Sequence, residues 1–234
     1  MVLAKAYVTG GIKEPAHEVL EQNDLRPPIG HHGLPTWLDD FPQVFEEGFP
    51  SYSERFAPCP LHLGLYPVVD SVEWIERLVN QGVKTIQLRI KDKTDPKLFD
   101  KIKVAVDFCE PKDVRLFIDD HYELAIKAHA YGVHLGMEDL KTADLKSIQK
   151  AGLRLGVSTH GAYEMLKAMQ LQPSYIALGH IFPTQSKKMP SKPQGVFKLA
   201  LEQEIIQDLV PTVAIGGIKL HNVEDVLETG VGSV

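Results

Sequence analysis

The chain has 234 residues, of which 44% are hydrophobic and 24% charged, an ordinary composition for a globular protein with one sizeable core. Its formal net charge of -6 argues against a nucleic-acid partner, because nucleic-acid binders neutralise phosphates with Lys and Arg. No run reaches the roughly 18 to 20 apolar residues that cross a bilayer, and Cys59 and Cys109 fit no disulfide or zinc pattern, so we expect a cytoplasmic protein without membrane attachment.

The first 60 residues differ in character from the rest of the chain. The segment 27–60 is rich in Pro, His, Gly and aromatic residues and has neither the period of a strand nor that of a helix. Short apolar runs, each followed by a helix-like stretch, begin just after it. We therefore predict an irregular extension over 1–60 and a folded domain over 61–234.

Seven short apolar runs in the domain are typical of buried β-strands. They lie at 63–69, 85–90, 115–119, 132–135, 154–158, 175–179 and 212–217. The stretches between them are amphipathic: after the first run, Val72, Ile75 and Leu78 recur at helical spacing. Apolar strands that alternate with helices indicate a parallel sheet covered on both faces. Seven such units favour a (β/α)8 TIM barrel over a doubly wound open sheet, with functional residues at the carboxyl ends of the strands.

The predicted barrel is short of one unit. The domain has fewer residues than the roughly 200 at the low end for such barrels, and the sequence stops at Val234, where an eighth strand would begin. We therefore expect the eighth strand and helix to be missing from this chain and the sheet to keep two unpaired edges.

Three polar residues, Gln87, Arg89 and Lys91, alternate with apolar ones at the end of the second predicted strand. By strand periodicity they share one face, which would point into the barrel mouth. Arg offers a planar fork of donors and Lys a mobile charge, so the cluster suits a diphosphate. The alternative is an amphipathic edge strand whose charges face water.

Carboxylates follow the next two predicted strands. Asp119 and Asp120 end the third strand, and Glu138 and Asp139 come shortly after the fourth. Mg²⁺ binds through one or two carboxylates together with substrate phosphate oxygens. Asp120 and Asp139 therefore predict a metal site, with capping of the following helices as the alternative.

Hydroxyls and histidines lie near the ends of the fourth and fifth strands. Ser158 and Thr159 could bind substrate or cap a helix, and we interpret His160 as a polar loop residue. His134 has apolar neighbours on both sides, which favours a hydrogen-bonded core residue over a ligand.

A long loop follows the sixth predicted strand and carries Thr184, Ser186 and Lys187. Long loops in compact domains are usually functional or disordered, and these residue types suit a phosphate. The alternative is a solvated basic loop. Gly216 and Gly217 end the seventh strand, where backbone N–H groups could approach a phosphate closely.

Six segments, taken in this order, resemble thiamine phosphate synthase, and together they span nearly all of the predicted domain. They are QLRIK at 87–91, FIDD at 117–120, GVHLGMEDL at 132–140, LGVSTH at 155–160, YIALGHIFPTQSK at 175–187 and VAIGGI at 213–218. The resemblance implies a Mg²⁺-dependent transferase of thiamine biosynthesis. It joins 4-amino-2-methyl-5-hydroxymethylpyrimidine diphosphate to 4-methyl-5-(2-phosphoethyl)thiazole and gives thiamine phosphate and pyrophosphate.

The resemblance also implies roles for single residues. It implies three catalytic residues: Lys187, Arg89 and Ser158. It implies contacts to the pyrimidine diphosphate from Gln87, Arg89, Lys91, Asp119, Ser158 and Lys187. The thiazole phosphate would be bound by Thr184, Ser186 and Gly217. Mg²⁺ would be held by Asp120 and Asp139.

Two departures from the family pattern stand out. Asp119 occupies a position where the family commonly has Asn, and its charge is expected to weaken diphosphate binding unless Mg²⁺ or a lysine compensates for it. The family's eighth strand carries a Val-Ser pair at the thiazole phosphate site, and the sequence ends at Val234 before reaching it.

The N-terminal extension carries a second resemblance. AKAYVTGGI and the later GHHGLP are similar to the tail of a hydroxymethylpyrimidine phosphate kinase, without the kinase's nucleotide site, so we expect no kinase activity. Two alternatives to the synthase stay open: a thiazole tautomerase-like barrel, and an inactive truncated fragment of a bifunctional thiamine-biosynthesis protein. The predicted partners are the two small-molecule substrates, and the sequence is compatible with a homo-oligomer.

Overall fold

A computed structural model describes residues 44, 46–47, 49–50, 54–184, 192–207 and 209–234. The chain divides into two compact units, Met1–Phe45 and Glu46–Val234, and nearly all described residues belong to the second. Its strands are β1 Val68–Val69, β2 Thr85–Leu88, β3 Arg115–Asp119, β4 Gly132–Leu135, β5 Arg154–Thr159, β6 Tyr175–Gly179 and β7 Thr212–Ile215. Its α-helices are α1 Val72–Asn80, α2 Leu98–Cys109, α3 Tyr122–Ala128, α4 Leu145–Lys150, α5 Ala162–Met169, α6 Gly195–Ile206 and α7 Val223–Leu227.

The seven strands form one parallel sheet in which every strand pairs with its neighbours in the sequence. Gln87 of β2 stands opposite Phe117 of β3, and Asp119 of β3 stands opposite His134 of β4. This register brings the carboxyl ends of the strands to one rim, as the alternation of apolar runs and helices predicted. The prediction of an α/β fold with a curled parallel sheet is confirmed.

The last two residues of the chain lie between the two edges of the sheet and hydrogen-bond on both sides. Ser233 forms a parallel bridge with Gly64, and its carbonyl accepts a hydrogen bond from Ala214 N of β7 at 2.9 Å. On the other side Tyr66 N donates to Val234 O at 2.6 Å, and Val234 N donates to Gly64 O at 3.2 Å. The expectation of two unpaired edges is therefore wrong here, because the last residues hydrogen-bond to β7 and to the segment that leads into β1.

Strand β1 is much shorter than predicted. The sequence predicted a strand over 63–69, whereas the structure has one over Val68–Val69. Pro67 has no N–H to donate to a ladder, although its carbonyl accepts from Gln87 N at 2.9 Å. The residues before Pro67 bond instead to the chain's last residues.

Helix α1 forms where its apolar spacing predicted. The Ser71 side chain caps its N-terminus by accepting from Trp74 N, and Glu73 lies in the first turn, where a negative charge is favourable. Ile75 is fully buried, and Leu78 is partly buried. The helix therefore packs on the sheet through the predicted stripe.

Aromatic rings fill the inside of the curled sheet. The rings of Phe117 and Tyr175 meet edge to face with their centroids 5.1 Å apart, and both residues are fully buried. A Cβ on Gly156 would stand 2.1 Å from the Tyr175 ring, and one on Gly132 would stand 2.5 Å from the Phe117 ring. Two glycines of the sheet thus provide the space that two aromatic residues on neighbouring strands occupy.

The segment just before the first strand packs against the amino-terminal ends of β5 and β6. Phe56 is 1% exposed, its N–H donates to Gln172 O, and Ala57 O accepts from the Ser174 hydroxyl. The compact unit therefore includes residues before 61, where the sequence analysis placed the start of the domain. Residues 1–43 of the predicted extension lie outside the described residues.

The described helices are also informative about membranes. None of the helices within the described ranges is both long enough and apolar enough to cross a lipid bilayer.

Gly156→Ala is expected to lower the free energy of unfolding by about 1 to 3 kcal/mol, because the new Cβ would overpack the core against Tyr175. Urea denaturation of both proteins measures the difference. The control is Val104→Ala, an exposed change in α2, which should alter the free energy of unfolding by less than about 0.5 kcal/mol. A Gly156→Ala protein as stable as its parent would contradict the packing described.

Candidate active site

A cavity of about 510 Å³ lies at the carboxyl ends of the strands. Its lining includes residues from every strand end, among them Tyr66, Gln87, Arg89, Asp119, Asp120, His134, Gly136, Ser158, His160, His180, Thr184, Gly216, Gly217 and Val234. Most of the polar residues singled out in the sequence therefore meet in one place. A concave site with a few convergent polar groups is typical of a small-molecule site.

The Asp119 carboxylate joins the ends of β2 and β3. Its Oδ1 accepts from Gln87 Nε2 at 2.5 Å, and its Oδ2 accepts from Arg89 Nε at 2.9 Å. Gln87 and Asp119 are buried, at 3% and 7% exposure. The charge of Asp119 is therefore matched by Arg89 inside the site, a pairing that the sequence analysis did not predict.

Gln87 presents its other amide atom without a partner. Because Nε2 must face the acceptor Asp119, the amide orientation is fixed by the hydrogen bond. Its Oε1 is buried and has no hydrogen-bond partner among the described residues. A buried acceptor of this kind is costly unless a bound molecule donates to it.

Lys91 does not line the cavity. Strand β2 ends at Leu88, so the alternation that places Gln87 and Arg89 on the inner face does not extend to Lys91. Its side chain is exposed. The predicted set of three polar residues is thus divided, with two at the cavity and one outside it.

Asp120 lines the cavity, whereas Asp139 is not among the lining residues but lies close enough for its charge to act on Asp120. Burial raises the pKa of Asp120, and the charges of Asp119 and Asp139 raise it further, against the opposing effects of Lys93 and Arg89. Lys93 Nζ lies 3.8 Å from Asp120 Oδ2. The lysine charge does not offset burial and the neighbouring carboxylates, so a further cation would be stabilised here.

The alternative of helix capping does not account for Asp120. The N-cap of α3 is His121, and no side chain caps that helix. Asp120 adopts a left-handed backbone with φ of 62°, which is uncommon for residues other than glycine and concentrates at functional sites. Asp139 Oδ2 accepts from Gly136 N at 3.1 Å, so this carboxylate also orders the turn after β4.

The carboxylates of Asp120 and Asp139 fit a hard cation that takes only a few of its ligands from the protein. Within the described ranges there is no group of three or more His, Cys, Asp or Glu side chains placed to hold a metal. Mg²⁺ often binds through one or two carboxylates and keeps water or phosphate oxygens as its other ligands. Asp120 and Asp139 match that chemistry better than they match a closed zinc or calcium site.

Ser158 and the two nearby histidines are all hydrogen-bonded. Ser158 Oγ lies 2.6 Å from His134 Nε2, and His134 is 3% exposed, as expected for a hydrogen-bonded core residue. His160 Nδ1 lies 2.8 Å from Glu164 Oε2 at the start of α5. Thr159 is buried and donates to Ala177 O at 3.1 Å, so it belongs to the sheet.

Gly216 and Gly217 adopt positive φ values of 102° and 68° at the end of β7. A Cβ on Gly216 would stand 2.4 Å from His180 Cβ, and one on Gly217 would stand 2.6 Å from Pro183 O. Close approach of the segment after β6 thus requires these glycines. Thr184 joins them in the cavity lining, whereas Ser186 and Lys187 lie outside the described residues.

His180 is a cavity residue that the sequence analysis missed. It is 6% exposed, and neither ring nitrogen has a hydrogen-bond partner among the described residues. Burial and His160 lower its pKa, which favours the neutral ring. The only sequence signal was its position directly after an apolar strand, within GHIFPT.

The family model for thiamine monophosphate synthase matches residues 65–234, which is most of the chain. The chain belongs to the thiamine monophosphate synthase family. The match begins within the segment that precedes β1 and covers every strand of the sheet.

Similar proteins agree with this membership. The thiamine-phosphate synthase of Citrobacter koseri is 58% identical over 183 residues, which are 78% of this chain and 86% of the relative. That of Salmonella agona is 60% identical over the same shares. The thiamine phosphate pyrophosphorylase from Pyrococcus furiosus has a similar structure, with a TM-score of 0.64, 29% identity, and coverage of 73% of this chain and 83% of that one.

The family background sharpens the meaning of Asp119. Its charge was expected to weaken diphosphate binding unless Mg²⁺ or a lysine compensated for it, and this stays a prediction. In the structure Arg89 Nε pairs with the carboxylate at 2.9 Å, and the charge of Asp119 contributes to the raised pKa of Asp120.

Asp119→Asn is therefore expected to lower the pKa of Asp120, because it removes one of the charges that raise that pKa. With its raised pKa, Asp120 holds its proton to a higher pH in the folded protein than in the unfolded chain, so its contribution to stability falls as pH rises. This fall should be smaller in the variant. NMR titration of the Asp120 carboxyl carbon measures the pKa directly.

Asp107→Asn serves as the control, since Asp107 is exposed on α2 and pairs with Lys103. It should leave the Asp120 titration unchanged. An Asp120 pKa that stays the same or rises in Asp119→Asn would refute the electrostatic account.

Proposed function

We propose that the cavity condenses 4-amino-2-methyl-5-hydroxymethylpyrimidine diphosphate with 4-methyl-5-(2-phosphoethyl)thiazole. The bond between the exocyclic methylene and the diphosphate oxygen breaks, its electron pair leaves with pyrophosphate, and the thiazole nitrogen forms the new bond to that methylene. The products are thiamine phosphate and pyrophosphate. The observation that carries the proposal is the meeting of Gln87, Arg89, Asp120 and Ser158 at one rim of a chain whose relatives are thiamine-phosphate synthases.

Gln87 is suited to the pyrimidine ring. Its unpartnered Oε1 can accept from the 4-amino group, while Asp119 holds its Nε2 in place. Such a buried acceptor also discriminates, because a ring without the amino group would leave it unpaired.

Arg89 and Ser158 are suited to the diphosphate. Asp119 holds the guanidinium through Nε, and the terminal N–H groups of the fork have no other partner among the described residues. Donors fixed before the reaction stabilise the charge that develops on the leaving pyrophosphate. Lys187 is proposed to act on the same group, and Lys91 would have to reach it from outside the cavity.

Asp120 and Asp139 would hold Mg²⁺. When bound, the ion neutralises the diphosphate and makes pyrophosphate a better leaving group. The raised pKa of Asp120 supports this role, because burial and then the charges of Asp119 and Asp139 disfavour its ionised form, which a cation would stabilise.

The thiazole phosphate is proposed to bind at the β6 and β7 end of the cavity. Gly216 and Gly217 present backbone there, and Thr184 and His180 add a hydroxyl and an imidazole. Ser186 is proposed to contribute a second hydroxyl. Holding both substrates in one enclosed space aligns the nitrogen with the methylene, which is a large part of the rate enhancement in such reactions.

We further infer that the sheet belongs to a (β/α)8 barrel, with Ser233 and Val234 at the position of the eighth strand. Their hydrogen bonds to β7 and to the segment before β1 support this. The kinase-like extension, the cytoplasmic location and a homo-oligomer stay predictions.

The direct test is to incubate the purified chain with both substrates and Mg²⁺ and to measure thiamine phosphate and pyrophosphate. Equal amounts of both products are expected. If the chain forms neither, the synthase assignment fails, and isomerisation of a thiazole substrate without condensation would favour the tautomerase.

In the same assay, Asp120→Asn should raise the Mg²⁺ concentration for half-maximal rate at least about tenfold, because one of two metal-binding carboxylates is lost. Asp107→Asn is the matched control and should leave this concentration unchanged. A normal Mg²⁺ response in Asp120→Asn would refute its role as a ligand.

His180→Ala is expected to raise the KM for the thiazole phosphate about tenfold or more, while the KM for the pyrimidine diphosphate changes less than about twofold, because one charge-assisted hydrogen bond is lost. The control is His129→Asn at the exposed end of α3, where Asn tolerates the left-handed backbone. Equal changes in both KM values would contradict the placement of His180 at the thiazole end.

A further inference from the structure

A chain of hydrogen bonds crosses the inside of the sheet and ends at Ser158. Tyr66 Oη lies 2.6 Å from Tyr175 Oη, which lies 2.6 Å from His134 Nδ1. His134 Nε2 lies 2.6 Å from Ser158 Oγ. Tyr66, Tyr175 and His134 are buried, and Ser158 is partly exposed. Tyr66, His134 and Ser158 all border the cavity.

Two proton arrangements satisfy the three contacts. In the inward one Ser158 donates to His134 Nε2, His134 Nδ1–H donates to Tyr175, and Tyr175 donates to Tyr66. The Tyr66 proton then needs another acceptor, yet Tyr175 is its one hydrogen-bond partner among the described residues. In the outward arrangement Tyr66 donates to Tyr175, Tyr175 to His134 Nδ1, and His134 Nε2–H to Ser158, so every proton inside the chain has an acceptor.

We propose that Tyr66, Tyr175 and His134 are positioning residues that fix the Ser158 hydroxyl as a donor toward an anionic oxygen in the cavity. The inference rests on the proposed function in one respect, which is that the anion is the diphosphate. An anionic ligand selects the outward arrangement as well, because in the inward one Ser158 would turn lone pairs toward it. The Tyr66 end and the Ser158 end of this series of hydrogen bonds therefore both require the outward arrangement.

The direction of these hydrogen bonds affects the breaking of the bond between the methylene and the diphosphate oxygen. As the methylene–oxygen bond lengthens, its electron pair moves onto the pyrophosphate, and a hydrogen bond donated by Ser158 strengthens with that charge. No proton has to be transferred. Burial and the hydrogen bond to Tyr175 raise the pKa of Tyr66, which keeps its proton in the chain. The Phe117 ring packs against both Tyr66 and Tyr175, and these two rings pack against each other, which holds the two phenols in place.

The first test reads the tautomer of His134 directly. Long-range ¹⁵N–¹H correlation NMR of the whole chain, with the His134 signals identified by their loss in His134→Gln, should show a protonated Nε2 and an unprotonated Nδ1. The Nδ1–H tautomer would overturn the proposal. This readout needs no turnover, so it distinguishes a wrong polarity from a wrong assignment of function.

The second test is a double-mutant cycle between Tyr175 and Ser158. Tyr175→Phe keeps the ring and removes the hydroxyl, and it should lower kcat at least about tenfold, since a donor to the leaving group is misdirected. In a Ser158→Ala background the same change should lower kcat by less than about twofold, because the hydroxyl that Tyr175 and His134 orient is then absent.

Tyr163→Phe is the matched control, because Tyr163 is exposed and its hydroxyl contacts only the surface residue Glu46 among the described residues. It should leave kcat unchanged. An equal loss from Tyr175→Phe in both backgrounds would show that the hydroxyl acts elsewhere and would overturn the proposal. Should Tyr175→Phe fail to fold, the tautomer of His134 in the unsubstituted chain still decides the question.

Discussion

The Tyr175 ring occupies the middle of the curled sheet because Gly156 on the neighbouring strand has no side chain there. A curled parallel sheet must fill its interior with side chains, and here aromatic rings do so. Tyr175 also carries a hydroxyl, which must be hydrogen-bonded once it is buried. Filling the interior with tyrosine rather than with an aliphatic residue therefore places a polar group below the cavity, where it reaches His134 and through it Ser158.

The rim above this core concentrates opposite charges. Arg89 and Lys93 stand against the carboxylates of Asp119, Asp120 and Asp139. Burial, followed by the charges of Asp119 and Asp139, nevertheless keeps the pKa of Asp120 raised. A site of this kind is poorly balanced when empty and suited to a cation together with a polyanion, since each neutralises part of the other. Within this cluster the Asp119 carboxylate pairs with Arg89 at 2.9 Å.

The two ends of the sheet serve different purposes. At the amino-terminal ends of the strands, Phe56 and the bond from Ser174 to Ala57 cover the core and keep water away from it. At the carboxyl ends, polar side chains from successive strands face a common space. This division is typical of parallel α/β sheets, in which stability lies at one end and chemistry at the other. Ser233 bonds to β7, and Ser233 and Val234 contact the segment that precedes β1.

The sequence by itself determined where the seven strands lie and their order, because each is a local apolar run and parallel pairing follows from the intervening helices, although it made β1 too long. It also placed Gln87 and Arg89 on one face through the two-residue period, and His134 in the core. Only the tertiary structure decided that Lys91 lies outside the cavity, that Arg89 neutralises Asp119, and that Ser233 and Val234 join the edges. The orphan ring of His180 was equally invisible. The reason is physical: strand formation is a property of neighbouring residues, whereas charge pairing, closure and the lack of a hydrogen-bond partner depend on groups that are distant in the sequence and adjacent only after folding.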